Sequence, residues 1–186
     1  MKRENCCAIL ILDAVQQERR MERRCKESGR ERQMENLELL VVQLRAKKPA
    51  EGYAALKALL AESERSNCVA PYLPQFVAML DSDSSYLRTR ALLLLAANAR
   101  WDIDNCIDEN IDRILAHITD PKPITARQLI QNLPVLALAK PDLRGDILAA
   151  LHRADTRRYP LSMRSLVEED IRKAVLAINA QESGEA

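Results

Sequence analysis

The sequence predicts an all-α fold built from about four stacked helical hairpins, and three observations carry that prediction. First, a phrase of apolar helix, short acidic turn and hydrophobic-Arg helix start recurs. It begins at Pro74, again at Ile107 and again at Leu143. Second, the Arg after each turn stands at 88, 127 and 164, spacings of 39 and 37 residues. A period of that size belongs to arrays of helix pairs. Third, Leu and Ala dominate, while the 186 residues hold 4 Gly, 1 Trp, 4 Tyr and 1 Phe. That composition suits helix interiors better than β turns and strands. A hairpin of this kind leaves an apolar face that only its neighbours can cover.

Residues 1–33 differ from the rest. They hold nine Lys/Arg and six Asp/Glu, a balance of +3, whereas residues 34–186 hold 19 and 21, a balance of −2. Gln16 to Gln33 is nearly all charged or polar and can form at most a solvated helix. Two expectations follow for this extension. It is either a disordered, frayed amino-terminal segment, or untranslated natively, with Met34 as the initiator. Codons for Arg30-Glu31-Arg32 can be purine-rich, like a ribosome-binding site.

The repeat domain is expected over 34–180. Leu37, Leu40, Val41 and Leu44 share one helix face. Pro49 opens a second helix, with Leu56, Leu59 and Leu60 inward. The next pair spans Pro74–Leu80 and Ser85–Arg100, with Asp81 to Ser84 making the turn and supplying an amino-terminal cap. Ala91 to Ala97 (ALLLLAA) is apolar all round, which places it inside the stack. Ile107, Ile111, Ile114, Leu115 and Ile118 predict one continuous helix. Thr125 and Gln128 fit a capping box for its partner, and Pro134 is expected to kink that partner. The last pair is Leu143–Arg153 and Met163–Asn179. There Glu168, Glu169, Arg172 and Lys173 form the polar back of a terminal unit. A disordered tail is expected over 181–186.

Composition excludes several function classes. The net charge of +1 recommends neither nucleic acid nor an anionic membrane. The longest early apolar run, Cys6 to Leu12, is too short to span a bilayer. Five scattered Cys and 2 His offer no four-ligand zinc set. No cofactor or metal is therefore expected, and free thiols point to a reducing cytoplasm. The acids from Asp102 to Asp112 lack the central Gly of a calcium loop, and they read as helix caps. Cys68 and Cys106 read as small buried hydrophobes, and Trp101 as a core residue or staple.

With these elements in order, the chain resembles the HEAT/armadillo class of α–α superhelices. Leu73-Pro74, Leu80-Asp81, Leu87-Arg88 and Ala91 carry the likeness best. Ile118 to Asp120 with Ala126-Arg127 carry it moderately, and Leu151, Asp155 and Met163-Arg164 loosely. The wording of 79–102 and 117–128 is also similar to a small family of bacterial HEAT-like proteins. An iron–sulfur-assembly (SufBD-type) label is sometimes attached to that family. The scattered thiols give such a label no cluster ligands to rest on. The resemblance implies a right-handed α–α superhelix with an open concave face.

Two roles are open to the repeated arginines. Arg88, Arg127 and Arg164 can form a structural ladder with the turn acids Asp81 or Asp83, Asp120 and Asp155, as buried Arg prefers. Alternatively Arg88, Arg90, Arg127, Arg157 and Arg158 can grip an acidic partner. The ladder is the preferred expectation. The function expected is a non-enzymatic scaffold that binds a protein on the concave face. The alternatives are a DNA-glycosylase-like HEAT protein, disfavoured by slightly acidic repeats with few aromatics, and an accessory factor in iron–sulfur or cofactor assembly.

Overall fold

A computed structural model describes residues 33–46 and 48–183. The expectations for the charged extension fall almost wholly outside them, as do residues 184–186. The chain divides into two compact units, 1–39 and 40–186. Residues 33–39 of the first are helical, and the second unit opens with helical residues 40–43 (α1). Everything below concerns the second unit.

The described residues are all-α, as the composition requires. After α1 come α2 (Pro49–Ser63), α3 (Leu73–Met79) and α4 (Ser85–Asn98). Next are the short α5 (Cys106–Glu109) and α6 (Ile111–Leu115), then α7 (Pro123–Ala139), α8 (Arg144–Arg153) and α9 (Leu161–Ser183). Four short 3-10 turns join them, at Ala70–Tyr72, Ala99–Trp101, Ala116–Thr119 and Pro141–Leu143. None of these helices is long and apolar enough to cross a membrane. The helices α2, α4, α7 and α9 pack in chain order, each on the next, while α3 covers α4 and α8 covers α9.

Pro49 and Pro123 each start a helix at a position whose N–H would have no intrahelical partner. The apolar run in α4 behaves as the sequence predicts. Ala91, Leu92, Leu94, Leu95 and Ala96 are all buried, and each large side chain there contributes roughly 1.5–3 kcal/mol of transfer energy. Only Leu93 and Ala97 stay partly open. They sit one turn apart on a single face.

Four expectations need correction. The isoleucine stripe is buried, with Ile107 and Ile114 fully enclosed, but it is not one helix. Asn110 leaves helical geometry at φ −115, ψ 15, and its side-chain amide donates to the Cys106 carbonyl at 2.8 Å. That local bond competes with the helix ladder. Ser84 occupies the position before α4 without a side-chain cap. Thr125 forms no capping box either, because Lys122 precedes α7 and the Thr125 hydroxyl meets Thr89 Oγ1 at 2.9 Å. Finally, α9 continues to Ser183. Gln181 is held there by donating to the Pro134 carbonyl at 3.0 Å.

Candidate functional site

The predicted ladder exists at one rung in the expected form. Arg88 grips Asp120 of the following layer with two parallel hydrogen bonds, Nε to Oδ2 at 2.7 Å and Nη2 to Oδ1 at 2.8 Å. Its Nη1 donates to the Ser82 and Asp83 carbonyls, so Asp83 contributes backbone and no carboxylate bond to this rung. Asp120 also meets His117 Nδ1 at 2.9 Å and accepts from the Lys122 N–H. Its own carbonyl accepts from Tyr159 Oη at 2.6 Å. Burial alone would raise the Asp120 carboxyl, but hydrogen bonds from His117, Arg88 and the Lys122 amide hold it well below the usual carboxylate range.

The other rungs differ from expectation. Arg127 pairs with Asp170 in the middle of α9 and not with Asp155. Asp155 instead binds Arg157 within its own exposed turn, at 2.9 Å. Arg164 reaches the Arg157 carbonyl at 2.7 Å, tying the turn together without a carboxylate. Asp81 is answered by Arg113 at 2.7 Å.

The expectation that Arg88 and Arg90 grip a partner is likewise corrected by their placement. Both are buried. Arg90 donates to the Leu44 and Pro49 carbonyls, and its guanidinium lies directly over Gly52. Burial pushes that guanidinium below its ordinary value. Arg158 donates to the Thr119 carbonyl from an exposed position. Of the five arginines named for binding, Arg157 and Arg158 lie on the surface, Arg127 is partly buried, and Arg90 borders a trough with its guanidinium committed to carbonyls.

Near the end of α4, Arg100 and Trp101 both donate to the Ser63 carbonyl, at 2.9 and 2.8 Å. They satisfy the open end of α2. Trp101 is thus a staple. Asp102 accepts from the Cys106 and Ile107 amides at 2.9 Å and pairs with Lys140, which also binds Asp108. Asp102 thus caps α5, and Lys140 offsets part of the charge of this acidic stretch. Among the described residues no cluster of His, Cys, Asp or Glu could hold a metal ion. Burial and the neighbouring acids push the Cys106 thiol up, which disfavours a reactive thiolate.

The concave feature lies elsewhere. A trough of about 910 Å³ opens over the first turns of α2, α4 and α7, lined by Pro49, Tyr53, Tyr86, Thr89, Lys122 and Ile124 among others. A second trough of about 570 Å³ opens over the last turns of the same helices, with Leu60, Ala97, Asn132, Val135 and Leu138. Leu93 lines both. The two adjoin at Leu93 and lie end to end along α4, as a groove floored by α4 and walled by α2 and α7. The three helices run in the same direction, because first turns meet at one end and last turns at the other. From Ser85 to Arg100 the floor is about 22 Å long at 1.5 Å per residue.

The groove carries apolar side chains that the core leaves out. Tyr53, Tyr86, Ile124, Val135 and Leu138 are each more than half exposed. The sequence reading missed them because it searched for charge. Their signal was available: Ile124, Gln128, Asn132 and Val135 recur at helical spacing on a face of α7 that the core does not use. Exposed apolar side chains gathered along a trough mark a place for something to bind.

Comparison with known proteins finds no family model, curated protein or solved structure that matches the chain.

Proposed function

We propose that this chain is a HEAT-like α–α superhelix of about four hairpins, serving as a binding module for a protein partner. Its concave face is the groove over α4. Support for the superhelix comes from the serial packing of α2, α4, α7 and α9, the shared direction of the first three, and the Arg88–Asp120 bridge between successive layers. The observation that carries the binding role is the row of half-exposed apolar side chains along an open groove. Such a row is a cost in water unless a partner covers it.

A photo-crosslinking amino acid in place of Gln128 tests the role. Incubation with native lysate should label a small set of proteins. Labelling should fall at least tenfold when Ile124→Glu and Val135→Glu are added together. These side chains are 67% and 52% exposed, so the double variant should unfold within about 1 kcal/mol of the parent. Undiminished labelling would remove the groove from consideration.

A further inference from the structure

We infer that the occupant of this groove is an acidic amphipathic helix of about four turns, lying antiparallel to α4 with its carboxylates near Lys122. The inference rests on the protein-binding proposal and adds the partner's chemistry. Three observations select it.

The first is length and shape. The groove follows α4 for about 22 Å and is bounded by side chains on two helices that run in the same direction. A helix laid in such a trough presents anchors at i, i+3, i+4 and i+7.

The second is hydrogen bonding. An extended peptide brings an N–H and a C=O per residue that need partners. The lining offers side chains such as Tyr53, Tyr86 and Gln128 but no exposed strand edge to pair with, and some of its polar groups are already committed. Thr89 meets Thr125, and the Asn132 amide donates to the Gln128 carbonyl at 2.8 Å. A helix has satisfied its backbone before it arrives.

The third is charge. The groove is lined by three cations, Arg90, Lys122 and Arg100, against the single carboxylate of Glu64. Arg90 and Arg100 donate to backbone carbonyls, so no carboxylate cancels them. The exposed ammonium of Lys122 has no partner among the described residues. It stands at the end where α2, α4 and α7 begin, the positive end of three helix dipoles. At the opposite end Arg100 stands with Glu64 and, together with Trp101, caps the carbonyl end of α2, so the lining side chains there carry no net charge. An incoming helix is complementary when its own negative end and its acidic side chains face Lys122.

The test uses a phage library of random 16-residue peptides, selected on the full chain and counter-selected on the Ile124→Glu/Val135→Glu variant. The enriched pool should carry apolar residues at helical spacing with Asp or Glu in the last turn. A synthetic consensus peptide should gain helicity on binding and should bind Lys122→Glu at least tenfold more weakly. A benzophenone in its last turn should label the segment around Lys122, not that around Leu138.

A groove-specific pool with no preference for acid in the last turn would overturn this inference and leave the groove reading intact. Enrichment of proline-rich or extended sequences would overturn it as well, as would binding of a fatty acid with no peptide enriched. A parallel selection without the counter-selection step whose pool binds the Ile124→Glu/Val135→Glu variant as tightly as the parent would sink the underlying proposal.

Discussion

Asp120→Asn should lower the unfolding free energy by about 3–5 kcal/mol, the usual cost of removing one partner from a buried ion pair. The side chain keeps its shape but loses its charge, leaving the Arg88 guanidinium, 9% exposed, without a compensating carboxylate. Urea titration would measure the loss. The double variant Arg88→Met/Asp120→Asn should be less destabilised than the sum of the two single changes, since the stranded cation is gone. Strict additivity would show that the pair does not act as a unit. The same carboxylate shapes the acid limb. Its folded-state pKa lies below the value of about 3.9 expected in the unfolded chain. The unfolded state therefore takes up the proton first, and the contribution is complete at neutral pH and drains away as pH falls below about 5. The Asn variant should show a shallower stability loss between about pH 5 and 2. Identical acid limbs would assign that loss to other groups.

Gly52→Ala should destabilise the chain by about 1–3 kcal/mol, although the same change in an open helix gains up to about 1 kcal/mol. A Cβ built at Gly52 falls 2.3 Å from Arg90 Nη1 and 2.5 Å from its central carbon. The guanidinium cannot retreat without releasing the Leu44 and Pro49 carbonyls, each a charge-assisted bond worth about 1.5–3 kcal/mol. Its escape into the groove recovers some of that through hydration. Repeating the substitution in an Arg90→Met background reverses the sign if this geometry is right. There Gly52→Ala should be neutral or stabilising, read as an increase in Tm. A loss of equal size in both backgrounds would show that some contact other than Arg90 forbids the methyl group.

The sequence was most legible where local spacing and apolar pattern decide the outcome. Pro49 marked the start of α2, and the run from Ala91 to Ala97 marked the interior layer. The Arg88–Asp120 rung could be expected because both residues sit at turn positions of the repeated phrase. Asp170 could not, because it lies mid-helix, where a carboxylate ordinarily reads as solvated surface. The break at Asn110 was hidden for a related reason: one side-chain hydrogen bond outweighed an apolar pattern that pointed to a longer helix. The groove was hidden because exposure depends on which helices become neighbours. Tyr53 and Tyr86 look like core residues until α2 and α4 are placed side by side, with their tyrosines turned away from the interior.

The bonds that join the layers also set an order for manufacture on the ribosome. Ser63 meets Asn98 35 residues later, Arg88 meets Asp120 after 32, and Arg127 meets Asp170 after 43. Each layer emerges with its locking residue still unsynthesised. A nascent chain halted before α9 would hold an unpaired Arg127 and an uncovered flank of α7, and would be prey to proteases and chaperones until translation resumes.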